Sequence, residues 1–599
     1  MWYPRRCSIV WRLCRDACFA LVIAMTGGSV AGAGDGHGIA THGDLKYPKT
    51  FLFFDYVNPE APKAGTLNLG TMLTFNSTNM MRFPGNTPNE FAYLYDRLMT
   101  KAADESGSYY GLLAERAEMT GDGSTLRFAL RKGARWHDGT PITAADVVFT
   151  FETLGREGLP VYRSILEGVS LSARGSRVIE VTTTRPQDRR FIGLVATFPI
   201  HPAHVWSARD LSALTLEPPL GSGPYRLASM ALNQRLVLER VPDYWGRSLP
   251  VNRGRWNFDR IEVLYFRDRA PIVEALKAGR LNLHREYDAT NWAERYDGPA
   301  FVAGDLVKTE YPTTGRLDAL VFNLRRAPLD DVRVREALTL AFDREWARET
   351  FFAGLYPPPG SLYGKGSLAA VGAPGPGERA ILEPFRAELP AGLFDAAAPP
   401  DMAAQSRRQR LARADALLVE AGFVVRDGVR VKAENNTPLR FSFVGGATGI
   451  ERTLGAFRQS LQRLGITLDI RLMDYVTLRK AMLSHQFDIA QSGFTPSFPP
   501  GTEERLGWHS ERAGTEGYGL AGAVDPVLDA AIEAMSDSND PDRVIAGARA
   551  FDRVMRWRRY LLPLWQRSGA WIAHDRRIAF PDGYSPGRGL PISTLWWED

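Results

Sequence analysis

Residues 135–152, RWHDGTPITAADVVFTFE, contain side chains of the types that perform acid–base catalysis or bind metals. His137 stands beside Asp138 on a glycine turn, and Asp146 follows one helical turn into the next segment. Each carboxylate also has a local structural role. Asp138 begins a turn, and Thr143 is spaced to cap a helix that carries Asp146 in its first turn. We therefore predict a strand, a turn and a capped helix here, with His137 bonding or packing against the turn and no catalytic site.

The other candidate catalytic and metal-binding patterns lack the neighbouring residues that their chemistry needs. His201 and His204 form HPAH, but the proline between them disfavours a regular helix face, and no carboxylate or thiolate accompanies them. GYSPG at residues 583–587 matches the string of a nucleophile elbow, which needs a helix after the serine. Pro586 and Pro591 prevent that helix from starting. We predict no catalytic residue, no metal site and no cofactor.

The first 33 residues have the layout of a secretory signal peptide. Four arginines precede the apolar run CFALVIAM, and VAGAG follows, with Ala31 and Ala33 as the expected recognition pair for cleavage. Cys7, Cys14 and Cys18 all lie inside this segment, so we expect no disulfide and no thiolate in the mature chain. Export and the lack of disulfides together predict the periplasm of a Gram-negative bacterium.

Charge gives no indication of a nucleic-acid partner. The four arginines and one aspartate of the first 33 residues contribute +3 of the formal +5, which leaves +2 for the rest. Basic residues are scattered among acidic ones and form no basic stripe of the kind that nucleic-acid binding requires. We predict a protein that does not bind nucleic acid.

Strands alternate with helices along the 599 residues, which are enough for more than one domain. Residues 125–131 and 261–266 have strand patterns, and a helix is predicted from Pro271 to Gly279. The mixture predicts an α/β chain with several sheets. Residues 357–402 are rich in proline, glycine and alanine, and we predict a surface excursion with short helices there.

Several long segments resemble the extracellular solute-binding proteins of family 5, which include the oligopeptide and dipeptide receptors of ABC importers. The segments are LLAERAEMTGDGSTLRFALRKGARWHDGTPITAADVVFTFETL (112–154), GSGPYRL (221–227), LVLERVPDYWG (236–246) and DDVRVREALTLAFDRE (330–345). A narrower resemblance, to the YejA-type oligopeptide-binding proteins, is carried by HGIATHGDLKYP, FDYVNPEAPKAGTL, LEPFRAELPAGLF, PPGTEERLGW and LPISTLWW. Together the resemblances cover nearly all of residues 37–597.

The resemblance implies an α/β periplasmic-binding-protein fold of the three-domain, peptide-receptor type. Two lobes enclose the ligand, and lobe I carries an extra subdomain. Transferred to this chain, the layout is 1–33 signal peptide, 34–77 lobe I, 78–195 extra subdomain, 196–315 lobe I, 316–562 lobe II and 563–599 lobe I. The chain would cross between the lobes near residues 312–320 and 559–566.

The resemblance also implies a function. The expected protein is a non-enzymatic periplasmic receptor, a monomer, that captures an oligopeptide-like ligand and delivers it to an inner-membrane ABC permease complex. Other solutes, such as an opine, a glycoside or a metal complex, fit the same fold. A periplasmic hydrolase and a holdase or sensory co-receptor are the alternatives from other classes.

One position departs from the pattern of the family. In the dipeptide and oligopeptide receptors, an aspartate in a motif resembling W-x-x-D-Y pairs with the free amino group of the ligand. The corresponding segment, residues 493–501, places Phe494 at the aromatic position and Ser497 at the aspartate. A serine cannot neutralise an ammonium group. The resemblance to the YejA-type proteins, which are associated with N-terminally blocked and peptidoglycan-derived peptides, implies ligands of these classes, and the missing aspartate agrees with both.

Four further residues complete the predicted ligand-binding set. Phe75 and Asn76 follow the strand TLNLGTM, where the first lobe of the family lends its backbone to the ligand. Arg505 is a candidate partner for a ligand carboxylate, and Trp508 a candidate apolar platform. The alternative is that Trp508 belongs to the core and that Arg505 forms a surface or interlobe ion pair.

Overall fold

The computed structural model describes most of the chain after the predicted signal peptide. The described residues are 36–41, 44–82, 85–105, 107–120, 122–185, 190–211, 213–312, 315–400, 405–446, 450–496, 500–538, 540–567, 569–581 and 592–598. The predicted signal peptide, the GYSPG string and Ser497 lie outside them.

The strands are numbered in chain order. They are Gly38–Ala40 (β1), Thr66–Thr71 (β2), Met99–Lys101 (β3), Ser108–Gly111 (β4), Ala114–Met119 (β5), Thr125–Leu130 (β6), Val169–Arg174 (β7), Val178–Thr183 (β8), Tyr225–Ala231 (β9), Arg235–Arg240 (β10), Arg260–Tyr265 (β11), Leu283–Glu286 (β12), Leu306–Pro312 (β13), Leu317–Phe322 (β14), Phe423–Arg426 (β15), Val429–Lys432 (β16), Arg440–Gly446 (β17), Thr467–Met473 (β18), Ile489–Phe494 (β19), Leu561–Gln566 (β20), Gly569–Asp575 (β21), Ile578–Ala579 (β22) and Trp596–Trp597 (β23).

The helices follow the same numbering. They are Ala144–Glu157 (α1), Pro160–Leu166 (α2), Arg190–Thr197 (α3), Ala203–Trp206 (α4), Arg269–Lys277 (α5), Ala289–Glu294 (α6), Pro299–Val302 (α7), Val332–Ala341 (α8), Arg344–Phe352 (α9), Pro376–Leu382 (α10), Arg407–Glu420 (α11), Glu451–Arg463 (α12), Tyr475–Leu483 (α13), Thr502–Trp508 (α14), Pro526–Ser536 (α15) and Pro541–Trp557 (α16). Within the described ranges, no helix has the length and apolar character needed to cross a membrane.

A seven-stranded sheet forms the centre of lobe I, in the order β13-β21-β12-β2-β11-β10-β9. β11 and β12 run parallel to β2, and β13 runs in the same direction because both β12 and β13 are antiparallel to β21. The carboxyl ends of β2, β11, β12 and β13 therefore lie at one edge of this sheet.

A five-stranded sheet forms the centre of lobe II, in the order β18-β17-β19-β14-β20. β17 is parallel to β18 and β19, whereas β14 is antiparallel to β19 and β20. The carboxyl ends of β17, β18 and β19 therefore lie at the edge where β14 begins and β20 ends.

The chain passes from one sheet to the other between Pro312 and Leu317 and returns between Gln566 and Gly569. The predicted boundary after residue 562 falls inside β20, which stays in the lobe II sheet through Gln566 because it pairs with β14. The predicted α/β fold of two lobes, each built on its own sheet, is confirmed.

The extra subdomain contains a four-stranded antiparallel sheet, β5-β6-β8-β7, covered by α1. A three-stranded sheet, β1-β4-β3, lies next to it in the chain. Although β1 falls in the segment assigned to lobe I, its residue Gly38 pairs with Tyr110 of β4. Sheet pairing thus ties this early segment to the subdomain that follows it.

The predicted capped helix after the turn is confirmed. α1 begins after Thr143, whose backbone N–H donates to Asp146 over 2.8 Å in a capping box. The second oxygen of Asp146 accepts a hydrogen bond from the backbone of Ala203 at 2.8 Å. The His137 ring donates from Nε2 to the carbonyl of Gly223 at 2.9 Å, so it fastens the turn to the GSGPYRL segment.

The described part of the proline-rich segment, residues 357–400, packs onto the rest of lobe II instead of standing away from it. Their short helix α10 contacts α16, and the carboxylate of Glu378 forms a buried ion pair with Arg553 at 2.9 Å. Leu382, Leu393 and Phe394 are buried in the same core cluster as Phe551 of α16. The short helices were predicted, whereas their burial was not.

Candidate functional site

Each of the two sheets has one edge at the chain crossings. The carboxyl ends of four lobe I strands lie at the edge from which β13 leaves, and those of three lobe II strands lie at the edge where β14 begins. In open α/β sheets, ligands bind in the crevice outside the carboxyl ends of the strands. The residues that follow β2, β11 and β12, and those that follow β17, β18 and β19, are therefore the expected walls of a ligand-binding cleft.

Phe75 and Asn76 lie at the lobe I edge, just after β2. The backbone N–H of Phe75 donates to Asn233 at 2.7 Å, and its buried ring is 5.2 Å from that of Tyr265, the last residue of β11. Asn76 is exposed, and its side-chain oxygen accepts a hydrogen bond from the backbone of Asn86 at 2.8 Å. Phe75 is thus packed into lobe I, while Asn76 remains accessible at this edge.

Glu90 is a charged group near this edge that the sequence did not indicate. It belongs to a short 3-10 helix, Asn89–Tyr93, and it is half-buried. Burial raises the pKa of Glu90, and burial together with the nearby Glu90 charge raises the pKa of Tyr265. Within the described residues, no other side chain donates to its carboxylate, so Glu90 is suited to attract a cationic group of a ligand.

Phe494 ends β19 directly opposite Leu317, the first residue of β14. Its ring is 8% exposed and meets the ring of Tyr363 edge-on at 5.5 Å. Phe494 therefore lies beside the crossing, with its side chain turned into the lobe II core. Ser497 follows Phe494 by three residues in the sequence.

Arg505 and Trp508 lie on α14, the helix that follows Ser497 in the sequence. The Arg505 guanidinium forms ion pairs with Glu511 and Asp537, each at 3.2 Å. Trp508 is buried, and its ring stacks on that of Tyr560 at 6.3 Å. These contacts match the structural roles considered from the sequence, and a contact of either residue with ligand remains a prediction.

Glu504, the residue before Arg505, has a fully buried carboxyl group. It accepts hydrogen bonds from the Tyr363 hydroxyl at 2.9 Å and from the backbone N–H of Gly501 at 2.6 Å. Burial, with a smaller contribution from Glu503, raises the pKa of Glu504 to about 7. The carboxyl group thus locks α14 to the proline-rich segment that contains Tyr363.

Aromatic rings bridge the two lobes beside the return crossing. Tyr356, from lobe II, stacks on Trp565 of β20 at 5.6 Å and on Trp571 of β21 at 5.4 Å. Trp571 in turn stacks on Trp292 of α6 at 6.2 Å. The segment between β20 and β21 is therefore flanked by rings that belong to both lobes.

The two histidines of HPAH do not converge on a common point. His201 is buried and donates from Nδ1 to the carbonyl of Pro199 at 2.9 Å, while His204 contacts Asp138 at 3.2 Å. In the part of the chain that the structure describes, no cluster of histidine, cysteine and carboxylate side chains has a geometry that could hold a metal ion.

Comparisons with known proteins agree with this architecture. The family model described as bacterial extracellular solute-binding proteins, family 5 Middle, matches residues 108–514. Uncharacterized protein YejA of Escherichia coli K12 is 36% identical over 574 residues, which cover 94% of each chain. The probable peptide-binding protein YejA of Agrobacterium fabrum C58 is 33% identical over 575 residues, again 94% of each chain.

A solved structure shows the same fold. The oligopeptide-binding protein AppA of Bacillus subtilis, in complex with a nonapeptide, superposes with a TM-score of 0.67 at 19% identity. The superposition covers 90% of this chain and 100% of that one. The resemblance of the sequence to YejA-type proteins is confirmed by the identities over nearly the whole chain.

Proposed function

This chain belongs to the bacterial extracellular solute-binding proteins of family 5, and we propose that it is a periplasmic receptor that captures oligopeptides for an ABC importer. The peptide lies between the two sheet edges, and the closed protein is recognised by an inner-membrane permease complex. The protein acts as a monomer and without catalysis. The relative in Agrobacterium fabrum that is described as a probable peptide-binding protein supports the ligand class.

The arrangement of the lobes explains how ligand binding favours the closed protein. A ligand that touches both sheet edges binds the closed arrangement more tightly than the open one, so it shifts the population towards closure. An extended peptide can be held through its backbone, as in strand addition, which tolerates varied side chains. The exposed Asn76 and the loop after Phe494 are the expected contact points on the two walls.

The observation that carries the ligand proposal is the serine at position 497. Without a carboxylate there, a buried ligand ammonium group would lose a partner worth on the order of a few kcal/mol. The receptor therefore prefers peptides whose amino end is blocked or enclosed in a larger group, including fragments of peptidoglycan. Phe494, Arg505 and Trp508 frame the same region of lobe II, and we propose that Arg505 and Trp508 approach the ligand on closure.

Calorimetry with matched peptides tests this proposal. One peptide of fixed sequence is titrated in its free and in its N-acetylated form, after native mass spectrometry has identified any co-purified ligand. We expect tighter binding of the acetylated form and no change of either peptide on prolonged incubation. Equal affinities would contradict the preference for blocked ends. Formation of a product would indicate a hydrolase. Weak binding of any unfolded chain would indicate a holdase.

A further inference from the structure

A cavity of about 490 Å³ lies between the extra subdomain and lobe II. One wall is formed by the start of α2, and the other by α13, α14 and residues 517–520. Its apolar lining includes Leu159, Val161, Leu478, Met482, Leu506 and Leu520. Except for Leu506, which is buried, these side chains are half-buried and keep apolar surface available to an occupant.

Each wall is an extension of the core of its own lobe. Val161 packs against the main core cluster of lobe I and the extra subdomain. Leu478, Met482 and Leu520 pack against a small lobe II cluster of Val444, Phe487 and Ala490. The walls are therefore held in place separately, and a group that fills the space between them contacts both parts of the molecule.

The cavity adjoins the lobe II wall of the cleft. α13 follows β18, whose carboxyl end lies at the cleft edge, and α14 follows the segment that carries Ser497. Glu503, Arg479 and Tyr518 also line the cavity, and Glu503 is exposed, whereas the other lining side chains are apolar. An apolar group entering from the cleft would exchange water for hydrocarbon contacts, which is favourable.

We propose that this cavity is an apolar subsite that takes a bulky hydrocarbon group, acyl or aromatic, carried by the blocked amino end of the peptide. The inference rests on the proposed function and specifies its ligand class further. Because the two walls belong to different parts of the fold, the hydrocarbon group also stabilises the closed arrangement of the lobes.

Gly507 provides the means of testing the subsite. It lines the cavity from α14, and a Cβ added there would meet no atom within 4 Å. Leucine also favours a helix over glycine, so Gly507→Leu should fill the cavity without weakening α14. Gly455→Leu is the matched control, because Gly455 is a helical glycine of α12 with equally open surroundings and does not line the cavity.

The affinities of one peptide with an N-acetyl or an N-octanoyl group are measured for each variant. We expect the wild type and Gly455→Leu to bind the octanoyl form at least about tenfold more tightly, since more apolar surface is buried. Gly507→Leu should lose this difference while keeping its affinity for the acetyl form. Equal affinities of the wild type for both forms, or an equal loss of both in Gly507→Leu, would overturn the subsite.

A second probe separates this inference from the proposed function. The fluorescence of N-phenyl-1-naphthylamine reports binding to an apolar cavity without any peptide. Suppose that no peptide binds, but that the probe binds to the wild type and to Gly455→Leu and fails to bind to Gly507→Leu. The proposal of a peptide ligand then fails, whereas the apolar subsite stands. If the probe does not bind the wild type, the subsite is overturned.

Discussion

The hydroxyl of Tyr363 donates a 2.9 Å hydrogen bond to the buried carboxyl group of Glu504, which follows it by 141 residues in the chain. Tyr363 belongs to the proline-rich segment, and Glu504 lies on the helix that follows the loop with Ser497. The bond therefore joins a segment that the sequence predicts as a surface excursion to the lobe II wall of the cleft. The position of that helix depends on a contact that no local sequence pattern encodes.

The buried carboxyl group of Glu504 should make stability depend on pH. Its pKa is raised from 4.5 to about 7 in the folded state, so the folded protein holds a proton that the unfolded chain releases at lower pH. Stability from this group is present below the unfolded pKa and is lost as pH rises through about 7. Glu504→Gln should remove a slope of about 1.4 kcal/mol per pH unit in this window.

Guanidinium unfolding of the wild type and of Glu504→Gln at several pH values between about 5 and about 8 measures this slope. Glu388→Gln is the control, because its carboxylate is exposed and does not contribute to the pKa of Glu504. Parallel stability curves for the wild type and Glu504→Gln would contradict the assignment.

The stacking of Tyr356 between Trp565 and Trp571 should contribute to the stability of the junction between the lobes. We expect Tyr356→Ala to lower the free energy of unfolding by about 3 kcal/mol, because it removes a buried ring that contacts both tryptophans. Tyr356→Phe keeps the ring and loses only the hydrogen bond to the carbonyl of Tyr287, so about 1 kcal/mol is expected. Urea unfolding of the wild type and both variants measures these changes. Equal losses of unfolding free energy in the two variants would exclude a role of the stacked ring.

Local patterns predict the regular elements well. α1 begins directly after Thr143, the cap that the sequence predicts. The predicted start of α5 at Pro271 is wrong by two residues, since the helix begins at Arg269. Proline is tolerated within the first turn, where backbone N–H groups need no partner in the helix, so it does not fix the first residue.

Long-range pairings could not be predicted in the same way. Periodicity predicts that a side chain is buried without indicating its partner, so the contacts of Phe494 with Tyr363 and of Trp508 with Tyr560 had no sequence signal. Glu90 is a single carboxylate in a short 3-10 helix, and its proximity to Tyr265 depends on how that helix crosses the sheet. The cavity between α2 and α14 depends on the placement of the extra subdomain against lobe II.

His137 should contribute to stability and leave ligand binding unchanged. Its ring donates to the carbonyl of Gly223 at 2.9 Å and its backbone N–H to that of Gly221 at 2.8 Å. His137→Ala removes the first bond, so we expect a loss of about 1 kcal/mol in the free energy of unfolding and peptide affinity within about twofold of the wild type. Lys132→Ala, at an exposed residue of the same segment, is the control. A large loss of affinity with unchanged stability would place His137 in the ligand site.

Restoring a carboxylate at position 497 should change which end group the receptor prefers. We expect Ser497→Asp to raise the affinity for a peptide with a free amino group by about tenfold relative to its acetylated form, because a charge-assisted hydrogen bond then becomes available. Ser497→Asn has nearly the same size without the charge and should leave the ratio as in the wild type. Calorimetry at low and high salt checks the electrostatic origin. If the aspartate and asparagine variants behave alike, the ligand's amino end lies elsewhere, and the half-buried carboxylate of Glu90 on the opposite wall becomes the group to replace next.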